Sequence, residues 1–222
     1  PTNTKTGAPK PEIMNLAGFY DAVFPSEYGH SFNGTSSSTP FSAAMAAVLM
    51  SKNSFIKGHP EVVKPIFLTS TAGHVFNNRD TDGGAAPGIP SFDLMAYSKG
   101  YSGYWPKGND QSLFKDGNGN SRDLEVTLNN LVAGEKYNLA VAYLTKGSTI
   151  KKLKKLPLKW SVTVYQNNKS ISSYSANNYD HQYILQTFKV PKSGNITIRI
   201  KRNSNAAPDD KIAFGYHMTK VP

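Results

Sequence analysis

The second half of the chain alternates hydrophobic and polar positions with a period of two. Six segments show this alternation: 124–128, 139–143, 160–164, 183–190, 196–200 and 212–217. Turn-forming stretches rich in glycine and asparagine separate them. Alternation is typical of strands with one buried face, and short strands joined by turns at this spacing indicate an antiparallel sandwich. We therefore predict an all-β, jelly-roll-like β-sandwich domain over residues 109–222.

Residues 1–108 show a different pattern, in which short strands are mixed with helices. Residues 41–50 form a nearly continuous apolar run whose alanines favour a helix, and apolar side chains on every face are typical of a helix buried inside a domain. A second helix is expected over 61–71, after Pro60, and a third, short one over 91–97. The sequence thus predicts an α/β unit, with a domain boundary near Gly108.

Composition limits the class of protein. Hydrophobic residues make up 38% of the 222 residues and charged residues 18%, which is typical of a globular protein. The chain has no cysteine, so disulfides and thiolate metal sites are excluded. No apolar run approaches the roughly 20 residues that span a bilayer, and we predict no membrane span.

The net charge of +10 is concentrated in one run of lysines. Its members are Lys146, Lys151, Lys152, Lys154, Lys155 and Lys159. Neither a recognised nucleic-acid motif nor a set of stacking aromatic residues lies nearby, so we predict no nucleic-acid partner. A solvated face of loop and strand is the favoured interpretation, and attraction to an anionic cell wall or membrane surface is the alternative.

The stretch that suggests catalysis is residues 33–44, Asn-Gly-Thr-Ser-Ser-Ser-Thr-Pro-Phe-Ser-Ala-Ala. Gly34 allows a tight turn directly before the predicted helix. Ser36 then lies at the helix N-terminus, where unpaired backbone N–H groups favour negative charge. This placement suits a nucleophile whose own backbone N–H stabilises an oxyanion. The alternative is a serine-rich helix cap without catalysis.

This stretch resembles the serine signature of the subtilisin-like serine proteases, G-T-S-x-[SA]-x-P followed by small residues. The resemblance extends over most of residues 10–97, although Leu16, Ala17 and Gly18 stand where the family has Ala-Pro-Gly. It implies the C-terminal portion of a catalytic domain, with part of a parallel sheet around a buried nucleophile helix. It also implies a secreted or cell-surface endopeptidase that hydrolyses peptide bonds through an acyl-enzyme on Ser36 and requires no cofactor.

The resemblance also indicates what is missing. In the family the catalytic Asp and His and the oxyanion Asn lie far upstream of the serine, whereas only 35 residues precede Ser36. Asp21 and His30 are nearby but match no family motif. We therefore expect the chain alone to be inactive. Three explanations remain open: the other half is a separate partner chain, the first segment is held by something else, or the piece is an excised fragment.

Residues 110–222 resemble, by strand pattern, the pre-peptidase C-terminal or P-domain sandwiches appended to secreted bacterial proteases of this family. Such domains assist folding, position substrate or bind surfaces. The resemblance therefore supports an alternative function, in which an inert, protease-derived fragment acts as a binding or scaffold module through its sandwich.

One loop has the spacing of a calcium site. Asp116, Asn118, Asn120 and Asp123 place oxygen atoms at nearly alternate positions, which is the style of a calcium loop. No glutamate follows at EF-hand spacing, and a glycine-rich loop without metal is the favoured interpretation. Calcium remains the alternative, and the segment 80–83 is a weaker candidate for it.

Overall fold

A computed structural model of the chain describes residues 18–20, 31–33, 35–72, 89–90, 101–105, 108–179 and 181–221. The helices are α1 (Thr35–Lys52), α2 (Ser54–Gly58), a 3₁₀ helix (Pro60–Val62), α3 (Val63–Thr69), α4 (Asp110–Leu113) and α5 (Gly147–Leu153). The strands up to residue 109 are β1 (Gly18–Tyr20), β2 (Ser31–Asn33), β3 (Thr71–Ala72), β4 (Ile89–Pro90), β5 (Tyr101–Tyr104) and β6 (Gly108–Asn109). The strands after it are β7 (Leu124–Leu131), β8 (Lys136–Thr145), β9 (Leu158–Gln166), β10 (Lys169–Ala176), β11 (Tyr183–Lys189), β12 (Gly194–Asn205) and β13 (Lys211–Lys220).

Two antiparallel sheets face each other as a sandwich. One has the strand order β10-β9-β12-β7, and we call it the open sheet. The other has the order β11-β8-β13-β5, with β6 also paired to β13, and we call it the covered sheet. The predicted β-sandwich is confirmed, and all six alternating segments are strands. Strand β5 belongs to the covered sheet although it precedes the predicted boundary near Gly108.

The core of the sandwich lies between the sheets, as the alternation requires. Trp160, Val162 and Val164 point inward from β9, and Ile196, Ile198 and Ile200 point inward from β12. They meet Leu139, Val141 and Tyr143 of β8 and Phe214 of β13. Each side chain is almost fully buried, so each contributes about 1.5–3 kcal/mol of hydrophobic stabilisation.

The covered sheet is buried on both faces, which the period of two does not predict. Helix α3 packs on its outer face, where Leu68 contacts a cluster containing Ala140, Ala142, Tyr183 and Leu185. The small side chains on this face let helix and sheet approach closely. Strand β8 is consequently buried at every position from Leu139 to Tyr143, and β13 at every position from Ile212 to Met218.

The backbone of the 3₁₀ helix lies very close to the covered sheet at Gly215 of β13. A Cβ atom at this position would lie 2.4 Å from the carbonyl oxygen of Glu61 and 2.9 Å from the backbone nitrogen of Val62. These are backbone atoms, which cannot rotate away. Glycine at position 215 therefore sets the distance between the 3₁₀ helix and the sheet.

The first part of the chain departs from its prediction in two ways. Every strand pair that the structure describes is antiparallel, so the parallel sheet expected within residues 1–108 is not seen among the described strands. Helix α1 forms as predicted, but the prediction that it is buried on all faces is wrong. Met45 and Leu49 are buried, whereas Phe41 and Val48 are 37% and 44% exposed. Alanine content determines helicity locally, but burial depends on what packs against each face.

The other helix predictions have separate outcomes. The helix expected over 61–71 is divided into the 3₁₀ helix and α3, with Pro65 near the start of α3, where its missing N–H costs no helical hydrogen bond. The lysine run, predicted as loop and strand, contains helix α5. The short helix expected over 91–97 lies outside the described residues.

Candidate functional site

Ser36 is the second residue of α1. The structure thus places it at a helix N-terminus, where the sequence predicts the nucleophile. Gly34, Asp21 and His30 lie outside the described residues, so the structure brings no predicted general base to Ser36. The catalytic assignment stays a prediction.

The predicted calcium loop is held together by its own first residue. The carboxylate of Asp116 accepts hydrogen bonds from the backbone N–H groups of Asn118 at 2.9 Å and Asn120 at 2.8 Å. Its other oxygen accepts the side-chain amide of Asn120 at 3.2 Å. These hydrogen bonds, above all those from Asn120, lower the pKa of Asp116 below its ordinary value of 3.8. Both carboxylate oxygens are therefore already used to close the loop.

Asp123, the fourth candidate ligand, is directed elsewhere. Its Oδ2 atom lies 3.9 Å from Nε of Arg199 on the open sheet. Among the described residues, no group of three or more His, Cys, Asp or Glu side chains is arranged to hold a metal ion. Calcium binding by Asp116, Asn118, Asn120 and Asp123 stays a prediction.

A more complete candidate site lies on the outer face of the open sheet. In contrast to the covered sheet, no helix in the described part of the chain packs on the centre of this face, and its outward side chains are polar. Pairing of β12 with β7 and β9 places Thr197 between Thr127 and Tyr165, and the next row places Arg199 beside Glu125. The hydroxyl oxygens of Thr127 and Thr197 are 3.3 Å apart.

Arg199 occupies the centre of this face. Its Nε donates to Oε1 of Glu125 at 2.5 Å, and its guanidinium carbon lies 4.6 Å from the ring centre of Tyr165. The hydrogen bond to Glu125 is the main cause of a raised pKa of Arg199. Because Glu125 and Asp123 both flank Arg199, its positive charge is compensated within the site. Arg199 therefore holds Tyr165 and Glu125 in place, and its own charge is paired within the site.

The β9–β10 turn forms one edge of the site. Asn167 and Asn168 have φ angles of 50° and 61°, which indicates a two-residue type I′ hairpin turn. The side chain of Gln166 fixes the turn, since it donates to the carbonyl of Lys192 at 2.6 Å and accepts from the N–H of Lys192 at 3.0 Å. The turn is therefore rigid where the two carboxamides project into solvent.

Asn195, at the start of β12, also belongs to the site. The register between β12 and β7 shifts between Gly194 and Ile196, and Asn130 of β7 has a φ of 64°. A bulge of this kind redirects side chains next to it. The carboxamides of Asn167, Asn168 and Asn195 make no hydrogen bond to any described residue.

Together these groups enclose a polar depression of about 540 Å³. We call it the polar depression, and its lining residues are Glu125, Thr127, Tyr165, Asn167, Asn168, Asn195, Thr197 and Arg199. The alternation of the strands does not predict the polar depression, because polar positions on a half-buried strand indicate only a solvent-facing side. The asparagine pair after Gln166 and the threonines at alternating positions were the available signals, but only the strand register brings them together.

No protein-family model matches the chain, and no curated protein matches it. Partial similarities exist to solved structures. The sugar-binding C-terminal domain of EclA is 14% identical, with 68% of this chain and 88% of that chain covered and a TM-score of 0.30. PliG of Aeromonas hydrophila, a periplasmic inhibitor of g-type lysozyme, is 10% identical, with 55% and 89% covered and a TM-score of 0.30.

CBM51 from a Clostridium perfringens GH95 protein, solved with methyl-galactose, is 12% identical, with 55% and 92% covered and a TM-score of 0.31. TM-scores this low do not support any inference about function. The chain is therefore defined by its own described fold, an antiparallel β-sandwich with helices packed on one of its two sheets.

Proposed function

We propose that the chain is a non-catalytic binding module whose polar depression takes a neutral, polyhydroxylated ligand, of which an oligosaccharide is the natural class. The observation that carries this proposal is the composition of the depression. Its three asparagines and two threonines each offer both a donor and an acceptor, which matches sugar hydroxyls that also donate and accept.

The charge of the depression supports a neutral ligand over an anionic one. Arg199 is the only basic group in the lining, and it already pairs with Glu125. An anion would have to displace this carboxylate, whereas a hydroxyl group can add to the free edges of the pair. The volume of about 540 Å³ lies within the range of ligand sites, roughly 300–1,000 Å³.

The proposed setting is outside the cell or on its surface. It is supported by the resemblance of residues 110–222 to sandwiches appended to secreted proteases. No helix among the described residues is long and apolar enough to cross a bilayer.

The test is an NMR titration of the full chain with cellohexaose, xylohexaose, chitohexaose and galactohexaose. We expect one of them to shift the backbone amides of residues 125–127, 165–168 and 195–199. Asn195→Ala and Asn168→Gly should each weaken binding by about 5- to 10-fold, since one hydrogen bond contributes about 1–1.5 kcal/mol. Glycine is chosen at position 168 because it retains the type I′ turn.

The matched control is Asn178→Ala, which removes an exposed carboxamide outside the polar depression. It should leave binding unchanged. If no sugar shifts these amides at concentrations up to about 10 mM, well above a 1 mM dissociation constant, the proposal is wrong. Shifts confined to other residues would contradict it equally.

A second candidate function is serine peptidase activity at Ser36. It is supported by the sequence signature around Ser36 and by the position of this residue at the start of an 18-residue helix. Unpaired N–H groups of a helix N-terminus favour an oxyanion. A serine nucleophile also needs a general base, and the family supplies it from upstream.

The test of this second function is labelling with a fluorophosphonate probe. We expect no labelling of this chain alone, and labelling at Ser36 when a segment carrying the family's Asp and His motifs is joined upstream. Ser36→Ala should abolish labelling, while Ser37→Ala should retain it. A joined enzyme with Ser36→Ala that still cleaves peptides at the full rate would show that the nucleophile is misassigned.

A further inference from the structure

The lysine run forms a surface at the other end of β9 from the polar depression. Lys159 is near the start of β9 and Asn167 directly follows its end, so the two lie about 26 Å apart at the rise of a strand. Lys146, Lys151, Lys152, Lys154 and Lys155 are exposed, and Lys159 is half-buried. We call these six residues the lysine surface.

Among the described residues, no carboxylate forms an ion pair with the lysine surface; Asp180, which follows Tyr179, lies outside those residues. The sequence contains no Asp or Glu from Lys136 to Tyr179. Asp210 lies near α5, but it is buried, and its carboxylate accepts hydrogen bonds from the hydroxyls of Thr145 and Thr149. This carboxylate is therefore used inside the fold.

The backbone of this surface is fixed. Helix α5 ends at Lys154 in a left-handed conformation with φ of 55°, and the N–H of Lys154 donates to the carbonyl of Ile150 at 2.8 Å. Two residues further on, the N–H of Leu156 donates to the carbonyl of Tyr179 at 2.8 Å. Leu156 and Leu158 are buried in the core, whereas Lys154 and Lys155 directly before them are exposed.

Two of the lysines converge on one aromatic ring. The ammonium groups of Lys155 and Lys159 lie 4.6 Å and 5.0 Å from the ring centre of Tyr179, whose hydroxyl is 2.7 Å from Oγ of Ser204. The two ammonium groups are therefore within about one Debye length, ~10 Å, of each other. Like charges held this closely are stabilised by an external anion.

We propose that the lysine surface docks a linear anionic polysaccharide, one that carries repeated sulfate or carboxylate groups. Lysine provides point charges without a fixed hydrogen-bond fork, which suits a flexible polyanion. Nucleic acid would require stacking aromatic groups, but the ring of Tyr179 already holds two ammonium groups. Insertion into a membrane would require exposed apolar side chains, whereas Leu156 and Leu158 are buried and Ile150 packs against the core.

The probe for this proposal is a heparin octasaccharide, with fully desulfated heparin of the same length as its control. We expect the full chain to bind the sulfated form, with an affinity that falls steeply between 50 and 150 mM NaCl. The triple variant Lys151→Gln, Lys152→Gln and Lys155→Gln should weaken binding at 50 mM salt by at least about tenfold. It should also lower the slope of log K against log salt by about 2, since each lost contact contributes roughly 0.7.

The matched control removes three exposed lysines elsewhere, as Lys169→Gln, Lys189→Gln and Lys192→Gln. It lowers the net charge equally and should change the affinity by less than about threefold. Equal weakening by both triple variants would overturn the proposal, because net charge alone would then explain binding. Tighter binding to duplex DNA or to phosphatidylserine vesicles than to heparin would overturn the assigned class of partner.

Discussion

Trp160→Ala is expected to lower the free energy of unfolding by about 3–5 kcal/mol. Trp160 is fully buried and joins the two sheets, since its ring meets Tyr143 at 5.7 Å and Phe214 at 5.5 Å, both edge to face. Its indole N–H also donates to the carbonyl of His181 at 3.0 Å. Removing the ring leaves a cavity between sheets that cannot close, because both are held by their own hydrogen bonds.

The measurement is urea denaturation followed by far-ultraviolet circular dichroism, which does not depend on tryptophan fluorescence. Trp160→Phe should cost less, because it retains an aromatic ring and loses the hydrogen bond. Val132→Ala is the control, since Val132 is 53% exposed and should change the stability by less than about 0.5 kcal/mol. A loss below about 1 kcal/mol for Trp160→Ala would show that the aromatic cluster is not tightly packed.

Gly215→Ala is expected to separate the helical segment from the covered sheet. The new Cβ would meet the carbonyl oxygen of Glu61 at 2.4 Å and its carbonyl carbon at 2.6 Å. Overpacking of this kind costs about 1–3 kcal/mol. Because the colliding atoms belong to the backbone of the 3₁₀ helix, we expect the cost to appear as loosening of residues 54–70.

Hydrogen exchange of the native protein measures this loosening directly. In Gly215→Ala the amides of α2 and α3 should lose protection, while those of β9 and β12 should keep theirs. Gly58→Ala is the matched control, since a Cβ there meets no atom within 4 Å and alanine is the better helix former. Equal protection in the two variants would mean that the helices do not rest on Gly215.

The polar depression connects this packing to function. Among the residues that the structure describes, the helical segment packs on the covered sheet, and the outer face of the open sheet is accessible to a ligand. Thr127, Thr197, Tyr165 and Arg199 stand side by side there because β12 pairs with both β7 and β9. Their hydrogen-bonding groups come from three strands that are distant in sequence.

The strands were the most predictable part of the fold. Alternation at Trp160, Val162 and Val164 identifies β9 because a strand buries every second side chain. Strand β10 was missed because its serines give no apolar alternation, and β5 was missed because its residues are glycine, serine and tyrosine. Both are held chiefly by pairing with a neighbouring strand, which local composition does not encode.

The sequence by itself determined the sandwich, the helicity of α1 and the place of Ser36 at its start, because strand alternation, alanine content and a glycine before a serine act within a few residues. Only the tertiary structure decided which face of each sheet is covered. Ala140, Ala142 and Gly215 form a helix-binding face, and Thr127, Thr197 and Asn195 line a depression. The helix-binding face and the depression both depend on strand register and on packing between segments that are distant in sequence. Burial and hydrogen bonding establish this register and packing only when the chain folds.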